Sequence, residues 1–151
     1  MATTADIGRD MGETRFLVDR SKTMELAKAL FDDDPVYSDP EAARAAGFEA
    51  IPAPLTASVL ASHWATRTTA ETARELGMDL TRILHGEAAW EYVRPLVVGD
   101  ELCGRTRVVD VKTREGSRGG TMTLVTMETE FVDAAGEVAL RKRDTLIERG
   151  A

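Results

Sequence analysis

The chain has 151 residues and a mass of 16.4 kDa, the size of one domain whose core needs neither metal nor disulfide. Hydrophobic residues are 43% and charged residues 30%, which excludes a disordered tail, and no apolar run approaches the roughly 20 residues that span a bilayer. Acidic residues outnumber basic ones 26 to 19, giving −7, the wrong sign for displacing counterions from nucleic-acid phosphates.

No repeat or linker divides the sequence, so residues 1–151 are expected to form a single domain, with 1–11 loose. MATTADIGRD lacks the basic-then-apolar layout of a signal peptide. A lone Cys103 excludes an internal disulfide, and two distant histidines argue against structural zinc, so no metal and a reducing cytoplasmic location are expected.

GETRFLV (12–18) reads as a short strand. Ser21 then caps a helix to about Phe31, with Met24, Ala27 and Phe31 on its apolar face and Leu26 and Leu30 flanking it. DDDP breaks the chain, because Pro35 disfavours helical geometry at Asp34. A small helix follows, with Ser38 or Asp39 as cap, Pro40 at its first position, Glu41 on the positive end of the dipole and Gly47 closing it. Pro52 and Pro54 mark a turn. From Leu55 towards Leu76 the spacing predicts one longer helix, whose first part, LTASVLASHWA, is rich in small residues and reads as buried.

From Glu87 onward the pattern is extended. AWEYVRPL, ELCGRTRVVDVK, TMTLVTMETEFVD and EVALRKRDTLIE are four candidate strands. Gly99-Asp100, Gly116 to Gly120 and Ala134 to Gly136 are the turns between them, short enough for antiparallel hairpins. With the first strand this makes an α+β fold: a five-stranded antiparallel meander around a buried central helix, the arrangement called the hot-dog.

Charge is unevenly spread. Residues 1–100 carry 17 acids and 10 bases, whereas 101–151 carry nine of each. An anionic ligand is therefore expected near Arg105, Arg107, Arg114, Arg118, Arg141 and Arg143. Solvated strand faces are the commoner fate of any single one. The three carboxylates Asp32, Asp33 and Asp34 before a proline turn are either solvated helix-end residues or a place where repulsion keeps a proton available.

DDDPVYSDPEAARAAGF followed by IPAPLTASVLAS resembles the hydratase segment of MaoC-like (R)-specific enoyl-thioester hydratases and dehydratases. LHGEAAWEYVRPLVVGDEL is similar to the N-terminal dehydratase-domain branch, which includes small subunits of mycobacterial hydroxyacyl-carrier-protein dehydratases. The resemblance runs from about residue 14 to 147. It implies a hot-dog fold and reversible hydration of a 2,3 double bond in an acyl thioester. The substrate would be carried on CoA or phosphopantetheine, with no separate cofactor.

The family's aspartate falls on Asp32, its asparagine on Asp34 and its histidine on Tyr37, while the glycine before the aspartate is replaced by Phe31. A phenol is a poor base near neutrality, where imidazole is a good one. Asp32, Tyr37 and His85 are thus the candidate catalytic residues. His63, on the long helix, is a second candidate histidine, and Cys103 reads as a packed strand residue. Candidate substrate contacts are Asp34, Pro54, Arg105 and the amides of Leu55, Thr56 and Ala57, placed to meet charge developing on the thioester carbonyl. The expected assembly is a homodimer or a heterodimer with a second hot-dog chain carrying the aspartate–histidine pair. A self-sufficient homodimer and a binding module without turnover are the alternatives.

Overall fold

A computed structural model describes residues 1–115 and 120–150. Arg118 and most of the expected Gly116–Gly120 turn lie outside the described residues. Five strands form one sheet: β1 (Asp10–Leu17), β2 (Ile83–Tyr92), β3 (Glu101–Glu115), β4 (Thr121–Val132) and β5 (Val138–Glu148). Every neighbouring pair is antiparallel, in the order β1-β3-β4-β5-β2.

Only β3, β4 and β5 form the expected meander. β2 pairs with β5 at one edge instead of with β3. The connection after β2 is fixed by tertiary bonds that carry the chain across. Arg94 clamps Asp100 through two hydrogen bonds of 2.7 and 3.0 Å, the Val97 amide donates to the same carboxylate, and the Val98 amide donates to the Ile51 carbonyl.

The short helices follow their local chemistry. Helix α1 (Arg20–Ala29) is capped by Asp19, two residues earlier than the expected Ser21. Helix α2 (Pro40–Ala45) is capped by Asp39, and Gly47 closes it at φ +92°. Around these sit short 3-10 turns at Thr4–Asp6, Pro35–Tyr37 and Leu80–Arg82.

The long helix is not continuous. Residues Ala57–Trp64 form a 3-10 helix, and α3 spans Thr69–Glu75. Thr66 breaks the run by pairing with the edge of β1, its amide and hydroxyl both donating to the Glu13 carbonyl. Thr68 then starts α3 afresh with a capping box to Glu71.

Nor is the central helix buried all round. Ala57, Ser58 and Ala61 face the sheet, whereas Leu55, Val59 and Trp64 are exposed. Small residues therefore make a close inner face only. The apolar face expected of α1 is also turned outward in part: Thr23 and Ala27 are buried, but Met24, Leu30 and Phe31 are exposed.

Alternation along β4 puts Val125, Met127, Thr129 and Phe131 on the inner face and Glu128 and Glu130 on the outer one. Two apolar clusters fill the space between sheet and helices. One gathers Met11, Leu76, Val108, Val125 and Leu146; the other gathers Phe16, Ala57, Ala61, Leu102, Phe131 and Leu140. The N-terminus joins the first, with Ala2 buried in it. A smaller cluster of Val36, Ala43 and Ile51 anchors the turn after α1.

Candidate functional site

The turn after α1 is built by its aspartates. The Asp34 carboxylate accepts from the Val36 amide at 2.9 Å and starts the Pro35–Tyr37 turn, while Asp32 accepts from the Asp34 amide at 3.2 Å. Both are local backbone bonds, and Asp32 is exposed. Val36 is pinned in the small apolar cluster, and this directs Tyr37 toward Phe48.

Tyr37 lines a cavity of 150 Å³ with Val36, Phe48, Leu55, Tyr92 and Leu96 among its walls. Burial first, then the negative charges of Asp32 and Asp34, push the Tyr37 phenol above its ordinary value of 10. It therefore stays protonated at neutral pH, able to donate a hydrogen bond and unable to act as a base. Tyr92, opposite, is raised to about 12 by burial, and its hydroxyl donates to the Leu55 carbonyl.

This places Asp32, Asp34, Tyr37 and Leu55 at one corner, with Pro54, Thr56 and Ala57 at the adjoining helix start. Pro54 is buried, and its carbonyl accepts from the Ala57 amide at 2.8 Å. Among the described residues, the Leu55 and Thr56 amides are the ones of the three without a protein acceptor.

His85 and Arg105 lie elsewhere. His85 is seven residues from Tyr92 along β2, about 20 Å at the usual strand rise. Its Nε2 is 3.5 Å from Asp144 Oδ1 on the neighbouring strand β5. Arg105 stands on the outer face of the sheet, where its Nε donates to Glu13 at 2.9 Å. That bond belongs to a cross-strand row, Glu13–Arg105–Glu130–Arg141–Glu91, that alternates in charge over all five strands. Arg107 and Arg143 flank Glu128 in the parallel row. These arginines are neutralised by carboxylates rather than gathered into an anion-binding patch.

His63 is exposed beside Trp64 in a groove between α1 and the central helix, and Cys103 is a half-buried free thiol on β3. Among the described residues no three His, Cys, Asp or Glu side chains form a metal-ligating group. No helix is long and apolar enough to cross a membrane.

The residue reading missed Tyr92 and Asp144. A signal for both was present. In β2 the spacing of Trp90 and Tyr92 puts them on one face, and in β5 Lys142 and Asp144 alternate in step with the core residues Leu140 and Leu146.

A family model described as the FAS1-like dehydratase domain region matches residues 5–142. A UPF0336 protein of Clavibacter michiganensis is 40% identical over 136 residues, covering 89% of this chain and 87% of that protein. A UPF0336 protein of Saccharopolyspora erythraea is 36% identical over 145 residues, covering 95% and 89%.

Among solved structures, a chain of the HadBC (3R-hydroxyacyl-ACP dehydratase) complex from Mycobacterium tuberculosis superposes with a TM-score of 0.73 at 25% identity, covering 92% of this chain and 96% of that one. A chain of the ChsH1–ChsH2 complex from the same organism shares the fold, with a TM-score of 0.72 at 19% identity over 93% of this chain and 83% of that one. The five-stranded sheet packed on its central helix is the hot-dog fold, and the chain belongs to the FAS1-like dehydratase-domain family.

Proposed function

We propose that the protein is one subunit of a hydro-lyase that interconverts (R)-3-hydroxyacyl and trans-2-enoyl thioesters, and that a second hot-dog chain supplies its aspartate–histidine pair. The observation that carries this is Tyr37. Where the related hydratases place an imidazole, this chain places a phenol held protonated by burial and by Asp32 and Asp34. The similarity to a chain of a complex described as a hydroxyacyl-ACP dehydratase supports the reading.

In this scheme the partner's imidazole removes a proton from water as oxygen adds to the third carbon of the enoyl chain. Negative charge grows on the thioester oxygen until the protonated aspartate–histidine pair returns a proton to the second carbon, which completes the addition of water. The Leu55 and Thr56 amides are suited to meet that charge, and Tyr37 walls the slot. The substrate arrives as a CoA or carrier-protein thioester, so no separate cofactor is needed. The partner docks at the β2 edge, where a ten-residue strand has an open side beside the Tyr92 cavity.

The test is enoyl-thioester hydration by the chain alone and co-expressed with neighbouring hot-dog chains. We expect no turnover alone, turnover in a complex, and a change of no more than about threefold for Tyr37→Phe in that complex. The contact between His85 and Asp144 favours a second reading, a homodimer active by itself. Turnover by the chain alone that disappears in His85→Ala or Asp32→Asn would establish it. Thioester binding without turnover in any combination would instead identify a binding module.

A further inference from the structure

The inner face of a sheet that packs on helices is ordinarily apolar throughout, yet here a polar band crosses it. Thr106 on β3, Thr129 on β4 and Lys142 on β5 are direct cross-strand neighbours in one row. Asp144 stands next to them on the same face of β5. This band separates the two apolar clusters, with Val108, Val125 and Leu146 on one side and Phe131 and Leu140 on the other.

The groups in the band are held in place. Lys142 is only 17% exposed, and its Nζ lies 2.9 Å from Asp144 Oδ2. The Thr106 and Thr129 hydroxyls are 2.8 Å apart. Above them Ser58, on the buried side of the central helix, accepts from Trp90 Nε1 at 2.9 Å. Lys142, Asp144, Thr106, Thr129 and Ser58 all line a 170 Å³ cavity between the sheet and the central helix. A half-buried ion pair adds no net stability over well-packed apolar residues. Stability alone therefore does not account for a lysine and an aspartate here, even with His85 Nε2 3.5 Å from Asp144 Oδ1.

We propose that this cavity is a specificity site for the acyl chain, and that it selects a neutral oxygenated chain, bearing a hydroxyl or keto group, over a plain hydrocarbon one. The inference rests on the acyl-thioester reading above. Charge sets the class of group: Lys142 is paired with Asp144 and Arg67, also on the cavity wall, is paired with Glu75, so an anionic chain end would find each cation already neutralised and the Asp144 carboxylate nearby. A hydroxyl or carbonyl instead accepts from Lys142 or a threonine, and a hydroxyl also donates to Asp144. A methylene chain offers none of these bonds and would desolvate the pair. Position agrees. Lys142 is the cross-strand neighbour of Trp90, two residues or about 7 Å along β2 from Tyr92 and the Tyr37 cavity.

The experiment is calorimetric binding of chain-length-matched CoA thioesters to the full-length protein as purified, and to its hot-dog complex. The probes are a saturated acyl chain, the same chain with a hydroxyl or keto group beyond the third carbon, and free CoA. We expect the oxygenated chain to bind about tenfold tighter than the saturated one. Lys142→Met should abolish or reverse that preference, and Thr129→Val, which keeps the ion pair, should reduce it.

Equal or tighter binding of the saturated chain by the wild type overturns the proposal, as does a preference unchanged in both variants. Free CoA binding as tightly as either thioester also overturns it, because the carrier arm would then be what is recognised. Failure of every thioester to bind removes the functional reading itself. Binding of the saturated chain with no preference removes only this inference.

Discussion

Phe31 condenses the chemistry of the site into one residue. It is the position where related hydratases carry glycine before their aspartate, and its φ of +57° shows why glycine suits it. The chain must turn through the left-handed region to leave α1, which costs a residue with a Cβ about 1–2 kcal/mol. Phe31 keeps that geometry while leaving 93% of its surface exposed, so packing within the chain does not offset the strain. Phe31→Gly is expected to stabilise the isolated chain by about 1 kcal/mol, seen as a higher denaturation midpoint with an unchanged m-value. A loss of stability in the assembled oligomer, but not in the isolated chain, would show that the ring packs against a partner.

Among the elements, β3, β4 and β5 are tied on their outer face by charge rows rather than by apolar packing. Glu128 is the clearest case. It is 5% exposed, accepts from Arg107 at 3.1 Å and from Arg143 at 2.8 Å, and is covered by both. Burial opposes its ionisation, but the two arginines outweigh burial and hold its pKa below the 4.5 of a free glutamate. A depressed carboxylate pKa contributes stability that is present above the unfolded value and lost as pH falls through the folded one. Glu128→Gln should therefore cost about 1–3 kcal/mol at pH 7. The gap between wild type and variant should close below about pH 4, measured by denaturant titration across pH.

At the level of the whole molecule, the open β2 edge lies at one side of the sheet, and Leu55, Val59 and Trp64 leave the outer side of the central helix uncovered. Unpaired strand edges and exposed large apolar side chains are both resolved by association. We expect sedimentation at micromolar concentration to give about twice the 16.4 kDa chain mass, or the mass of a heterodimer when a hot-dog partner is co-expressed. A monodisperse monomer under both conditions would contradict the assembly on which the proposed site depends.

Local chemistry in the sequence determined the elements. Pro40 and Gly47 bracket α2, alternation marks the strands, and DDDP places the turn that holds Tyr37, because caps, turns and side-chain period act over a few residues. What lies beside what was a tertiary decision. β2 left its neighbour in sequence and went to the far edge, Thr66 paired with β1 and split a helix that spacing alone would continue, and His85 met Asp144 instead of Tyr37. Likewise, Arg105 and its fellows became rows of cross-strand pairs, since only register tells a solvated arginine from a neutralised one. Each of these depends on contacts between residues tens of positions apart. Local propensity carries no information about such contacts, because their energy exists only once the sheet has closed its ladder.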